Sequence, residues 1–310
     1  MKIAIMGAGA IGGYFGARLA AGGQDVTFIA RGPHLEAMRR DGLRVYSPRG
    51  DLHLHPVRAV GSPAEAGPAE LVLMCVKAYD LPDAARSLAP PLDEDTAVLP
   101  LLNGIDIAQR IGAVVGMERL LGGACQISAA IEAPGVIRQP IEMESITFGE
   151  LDGRITPRAQ AIAEALRAAG IPTELSPAID VALWSKFIFL APAAGVCCVT
   201  GQTLGPVVRD PDTRALLLQS MQEIEALARA KAVALPVDIV ARTLAFLDSR
   251  PPDVKMSMLW DMEHGRRMEL DVLNGAAADL GEALGVPVPA NRFIATALKH
   301  RAQGAPRPSA

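Results

Sequence analysis

The chain has 310 residues, half of them hydrophobic, and carries a net charge of −4 with a pI near 5.8. That length and apolar content can fill about two domains with buried cores. Lys and Arg are scattered and only 4% of residues are aromatic, which excludes a basic face or stacking platform for nucleic acid.

Lys2 is followed at once by a short apolar run and then by glycines, so the N-terminus does not read as a secretory signal. Residues 2–6 (KIAIM) predict a buried parallel strand. Gly7-Ala8-Gly9-Ala10-Ile11-Gly12 follows directly and matches G-x-G-x-x-G. Each glycine has a reason: Gly7 for the tight turn, Gly9 for close approach to a pyrophosphate, Gly12 for helix–strand packing. Ala10–Ala21 predicts the helix whose N-terminus faces the phosphates, and Gly22-Gly23 stops it. A glycine-rich turn with no ligand is the alternative; the strand–turn–helix context favours a dinucleotide.

Residues 25–30 (DVTFIA) predict the second strand. An NAD-binding fold places an acid there for the ribose 2′-OH, about 20 residues beyond the loop. This chain has Arg31 instead. A guanidinium suits a 2′-phosphate through forked, charge-assisted hydrogen bonds, so NADPH/NADP+ is the expected cofactor, against the alternative of a solvated loop arginine. Residues 71–77 (LVLMCVK) and 97–102 (AVLPLL) predict two more strands, with helix between at 80–89 and a further candidate strand in Gly122–Ile131. Alternating strands and helices imply a doubly wound parallel sheet. Ligands sit outside the carboxyl ends of such strands. Lys77 and Asn103 stand at two of those ends, where a solvated strand terminus and a turn former before Gly104 are the plain alternatives.

Beyond about residue 155 the apolar period becomes helical: 157–169, 177–199, 211–232, 236–248 and 270–284, with no convincing strand among them. The predicted domains are 1–172 and 173–310, the second all helical, with a Pro- and Gly-rich frayed tail from Gln303. The longest apolar run, Phe187–Thr200, contains Pro192 and is short for a bilayer, so a core helix is expected and no membrane partner. Lys186 stands at the head of that apolar helix. It either snorkels to the surface or projects into a cleft as a proton donor. Ser257 and Glu269, taken alone, would be surface or capping residues.

The four cysteines, Cys75, Cys125, Cys197 and Cys198, form no C-x-x-C pair and no zinc spacing. They read as small buried hydrophobes in a reducing, cytoplasmic compartment, and no metal is expected. Apolar helices in the second domain are compatible with a homodimer, but equally with an ordinary core.

Taken in order, G-x-G-x-x-G, A-R-G, V-K-A, N-G, W-x-K, S-M-L-x-D and E-x-D-x-L-N-G resemble the ketopantoate reductase family over nearly the whole chain, from Lys2 to about Leu298. The resemblance implies a Rossmann domain joined to a helical domain, and NADPH-dependent reduction of 2-dehydropantoate to pantoate for coenzyme A synthesis. It implies that Gly7, Gly9 and Gly12 form the phosphate loop and Arg31 reads the 2′-phosphate. Lys77 and Asn103 would line the cofactor and substrate side. Lys186 would be the general acid, and Ser257 and Glu269 would bind or orient substrate. Two positions depart: Leu190 and Ala194 stand where well-known members carry asparagines that grip the polar end of the substrate, and Leu101-Leu102 precede Asn103 where a glutamine is common. A site without those amides should discriminate less for a hydroxyl, which opens a second reading, a more apolar 2-oxo acid. A non-catalytic NADP(H) sensor and an NAD-dependent hydroxyacid dehydrogenase are further alternatives. The retained Lys186 and Glu269 oppose the first, and Arg31 opposes the second.

Overall fold

The computed structural model describes residues 1–88, 92–93 and 95–305. The chain forms two compact units, one of residues 1–102 and 106–179, the other of 103–105 and 180–310.

The first unit begins with β1 (Lys2–Met6), α1 (Ala10–Ala21), β2 (Asp25–Ile29), α2 (Gly32–Asp41), β3 (Leu43–Tyr46), β4 (Leu52–Leu54) and β5 (Ala59–Val60). It continues with α3 (Pro63–Ala66), β6 (Leu71–Met74), α4 (Leu81–Leu88), β7 (Ala97–Pro100) and α5 (Ile107–Val115). Then come β8 (Leu121–Ile127), β9 (Ala130–Ala133), β10 (Val136–Arg138), β11 (Glu144–Glu150), α6 (Pro157–Ala168) and β12 (Thr173–Leu175). The last position of the expected helix 80–89 lies outside the described residues.

The main sheet has the order β5-β2-β1-β6-β7, and all its pairs are parallel. From β1 the chain winds one way through β2 and the other way through β6 and β7. That reversal between β1 and β6 is the switch point of a doubly wound sheet, and it opens a crevice at the carboxyl ends of those two strands. β1 and β6 read as unbroken apolar runs because both faces are covered; Ile5, Leu71, Leu73 and Met74 are fully buried. α1 lies close on the sheet, with Phe15, Ala17 and Leu19 fully buried, each large side chain contributing about 1.5–3 kcal/mol.

Two smaller sheets, β4-β3-β10-β9 and β12-β11-β8, were not all legible as strands. β9 is exposed along its whole length and β4 has no fully buried position, so neither shows an apolar alternation. The division between units falls at Ile179/Asp180, beyond the expected 172/173. The reason is β12, which pairs in parallel with β11 and follows Ile171, a buried member of the first unit's core. A strand of three residues has too little pattern to register in the sequence. Asn103–Ile105 departs in the other sense: it belongs to the second unit, and Ile105 packs against that unit's core.

The second unit contains α7 (Ile179–Thr200), α8 (Leu204–Arg209), α9 (Pro211–Ala230), α10 (Ile239–Asp248), α11 (Ser257–Glu263), α12 (Asn274–Leu284) and α13 (Pro289–Leu298). No strand occurs among its described residues. The expected helix 270–284 is broken into a 3₁₀ turn, Leu270–Val272, and α12. Of the frayed tail expected from Gln303, 306–310 lie outside the described residues.

α7 is longer than its apolar run. It has the length and composition to cross a membrane, and 67% of its most apolar window is buried within the protein. Ile188, Ala191, Ala193, Val196 and Cys197 are fully buried in the second unit's core. α7 is therefore a core helix. Cys125, Cys197 and Cys198 are buried and Cys75 is half-buried, none of them in a disulfide. Burial pushes the Cys197 and Cys198 thiols up to about 12, so neither is a nucleophile near neutral pH.

A buried polar group ties α9 to α13. The Glu223 carboxylate, 7% exposed, accepts from the backbone N–H groups of Ala290 and Asn291 at 2.8 and 3.0 Å and from Asn291 Nδ2 at 2.8 Å. It caps the N-terminus of α13, where free donors and the helix dipole favour an anion. Asn291 Oδ1 in turn accepts from Ser220 Oγ and Asn274 Nδ2, both at 3.0 Å. Glu223→Ala strands these donors and should lower the unfolding free energy by about 2–4 kcal/mol. Chemical denaturation measures this, and a midpoint equal to wild type would remove the cap from the account of this unit's stability.

Candidate active site

In the first unit the site begins at the turn between β1 and α1. The backbone N–H groups of Gly7 and Ala8 donate to the Ile29 carbonyl at 3.2 and 3.0 Å, which pins the loop to the end of β2. Gly7 has φ +95°, which side chains disfavour. A Cβ there would lie 2.9 Å from Val76 Cγ1 and N. A Cβ at Gly12 would lie 2.2 Å from the Gly7 carbonyl oxygen. Protein packing thus accounts for both residues.

Gly9 is different. It precedes α1 without a side-chain cap, and a Cβ there would meet no protein atom within 4 Å. Packing gives no reason for glycine at that position. Close approach of a ligand does, because the first turn of α1 offers unpaired N–H groups and the positive end of its dipole. Ala10 and Ile11 open that turn. The residues present therefore fit a dinucleotide pyrophosphate.

Arg31 stands two positions beyond β2, is largely exposed, and pairs through Nη2 with Asp80 Oδ2 at 2.8 Å. Asp80 ends the 3₁₀ turn Ala78–Asp80 that follows Lys77, on the loop leaving β6. Lys77 is half-buried at the switch point. The sequence reading missed Asp80; the available signal was a carboxylate three residues beyond a strand-end lysine.

In the second unit, Asn103 and Glu269 come together although 166 positions separate them: Asn103 Nδ2 lies 3.5 Å from Glu269 Oε2. Glu269 is only 8% exposed. Its backbone immediately precedes the 3₁₀ turn Leu270–Val272, whose Val272 N–H donates to the Glu269 carbonyl. Lys186 is half-buried on α7 between the buried Trp184 and Phe187. Because α7 starts at Ile179, Lys186 lies about two turns inside the helix rather than at its head. Leu190 and Ala194 follow on the same helical face, 8% and 1% exposed. Ser257 opens α11 and is exposed. Leu101 and Leu102 are buried.

A family model described as Ketopantoate reductase PanE/ApbA matches residues 3–153, and its C-terminal counterpart matches residues 178–302. The chain belongs to the ketopantoate reductase family. A 2-dehydropantoate 2-reductase of Mesorhizobium japonicum is 34% identical over 93% of this chain and 94% of its own length. An uncharacterized oxidoreductase of Bacillus subtilis, YkpB, is 30% identical over 93% of this chain and 95% of its own. The crystal structure of a PanE/ApbA family ketopantoate reductase from Ralstonia eutropha superposes with a TM-score of 0.90 at 32% identity, covering 97% of this chain and 98% of that one. D-mandelate dehydrogenase, solved with NADH and anilino(oxo)acetate, shares the fold at 23% identity, with a TM-score of 0.88 over 97% and 98% of the two chains. Ketopantoate reductases are oxidoreductases that act on CH–OH groups with NADP(H), and this chain is a 2-oxo acid reductase of that family.

Proposed function

We propose that this ketopantoate reductase family member reduces 2-dehydropantoate to (R)-pantoate with NADPH, in the cytoplasm, on the route to pantothenate and coenzyme A. The observation that carries the reading is the approach of Asn103 to Glu269, 3.5 Å apart in the unit that also holds Lys186. It brings an amide donor and a buried carboxylate together from distant parts of the chain, in the same unit as Lys186, the one lysine of α7.

NADPH, when bound, supplies the hydride that reaches the keto carbon. Gly7, Ala8, Gly9, Ala10, Ile11 and Gly12 would form the loop around its pyrophosphate, with the unpaired N–H groups of the first turn of α1 as donors, and Arg31 would hold its 2′-phosphate. Lys77, just beyond β6 in the first unit, would contact the cofactor, and Asn103, in the second, the cofactor and substrate. As the carbonyl carbon is reduced, negative charge grows on the carbonyl oxygen. The Lys186 ammonium stabilises that charge and gives up a proton to the oxygen. Asn103 and Ser257 donate to the substrate's carboxylate. Glu269, itself approached by Asn103, accepts from the Lys186 ammonium or from a substrate hydroxyl.

A second reading keeps the reaction and changes the substrate. Leu190 and Ala194 are buried apolar residues on the Lys186 face of α7 and offer no hydrogen bond to a terminal hydroxyl. That favours a more apolar 2-oxo acid. The test is a panel of 2-oxo acids with NADPH, with and without a terminal hydroxyl. A site built around the hydroxyl should reject analogues lacking it by about 10²-fold or more in kcat/KM. Equal or faster reduction of branched apolar 2-oxo acids would replace the first reading with the second. No NADPH consumption with any 2-oxo acid would remove both.

A further inference from the structure

Arg31 and Asp80 come from loops that leave two different strands of the main sheet, β2 and β6, and meet at 2.8 Å. Their side chains are 77% and 36% exposed. An ion pair so open to water adds little to folding stability, so its consequence lies in what binds beside it. Asp80 engages one of the five N–H donors of the guanidinium, which leaves Arg31 able to hold a second anion. That anion must then lie within one guanidinium of a carboxylate.

We propose that Asp80 sets the discrimination between NADPH and NADH: it competes with a 2′-phosphate for Arg31 and offers its own carboxylate to a ribose 2′-OH. The inference rests on the reading of Arg31 as the residue facing the 2′ position. Two anions sharing one cation repel one another, so Asp80 weakens the hold on a 2′-phosphate. A free ribose 2′-OH instead donates to the carboxylate, the task that an acid at the end of the second strand performs in NAD-binding folds. Here Arg31 occupies that strand end, and the loop after β6 supplies the acid.

Calorimetric binding to the full-length protein tests this with two probes, 2′,5′-ADP and 5′-AMP, together with NADP+ and NAD+. Asp80→Asn should tighten 2′,5′-ADP and NADP+ by about three- to tenfold, with a larger gain at low salt. The same substitution should weaken 5′-AMP and NAD+. Asp80→Ala, which removes the acceptor altogether, should give the same ordering. Arg31→Ala tests the foundation: it should abolish the preference for 2′,5′-ADP over 5′-AMP. If that preference survives Arg31→Ala, the reading of Arg31 and this inference fall together. If Arg31→Ala abolishes it while the Asp80 variants leave the probe ratio unchanged or weaken 2′,5′-ADP, the role of Asp80 alone is overturned.

Discussion

Replacing Lys186 with alanine should lower turnover by about 10²–10⁴-fold, the range for loss of a positioned general acid, while NADPH affinity stays within about twofold of wild type. The two effects separate because Lys186 lies on α7 in the second unit, whereas the phosphate loop and Arg31 lie in the first. Lys186→Arg sharpens the test. Arginine keeps the positive charge but does not release a proton at physiological pH. It should restore part of the electrostatic stabilisation and none of the proton transfer. Single-turnover reduction, with cofactor binding measured by NADPH fluorescence, distinguishes the steps. Alanine and wild-type enzymes with matching turnover would end the general-acid role. An alanine variant that loses cofactor binding in parallel would assign Lys186 to the nucleotide instead.

The second large effect contrasts two glycines of one loop. Gly12→Ala should destabilise the protein by about 1–3 kcal/mol, the usual cost of overpacking. Its Cβ would sit 2.2 Å from the Gly7 carbonyl oxygen and 2.7 Å from Ile5 Cγ2, and the backbone oxygen cannot rotate away. Gly9→Ala has no such conflict, because no protein atom lies within 4 Å of the added carbon. Its backbone, φ −73° and ψ −155°, lies in the extended range that alanine adopts. The melting temperature of Gly9→Ala should therefore match wild type within about 2 °C, while NADPH affinity falls by about tenfold or more, because the methyl occupies the space the pyrophosphate needs. Thermal melts without cofactor and NADPH titrations measure both quantities. Full NADPH affinity in Gly9→Ala would show that the open space beside Gly9 is not where the pyrophosphate lies.

The same contrast shows how far local sequence reaches. β1, the glycine loop and α1 fall where the sequence places them, and α1 ends at Ala21 with Gly22 as its cap. α6 likewise begins at Pro157, with Thr156 accepting from Ala159 N–H. Turn, cap and first-turn signals act over a few residues, so the chain carries them in order. The long helices of the second unit were legible for a related reason: a 3.6-residue apolar period over α9, and an apolar run over α7 too long for a strand, have few other interpretations. Arg31 at the end of β2 could be read the same way, by its distance from the loop.

What the sequence alone could not supply is every relation between distant positions. Asn103 meets Glu269 across 166 residues and Arg31 meets Asp80 across 49. Neither spacing encodes the meeting, since only the folding of each unit brings those loops together. The boundary at Ile179/Asp180 has the same origin. β12 is too short to announce itself, and it becomes a strand because β11 offers it an edge. By itself the sequence determined a nucleotide-binding βαβ start, an arginine at the second strand's end, and a helical second half carrying Lys186, because these are set by neighbours along the chain. The tertiary structure decided which carboxylates stand beside Asn103 and Arg31, because side-chain proximity in a folded core depends on packing between elements rather than on their order.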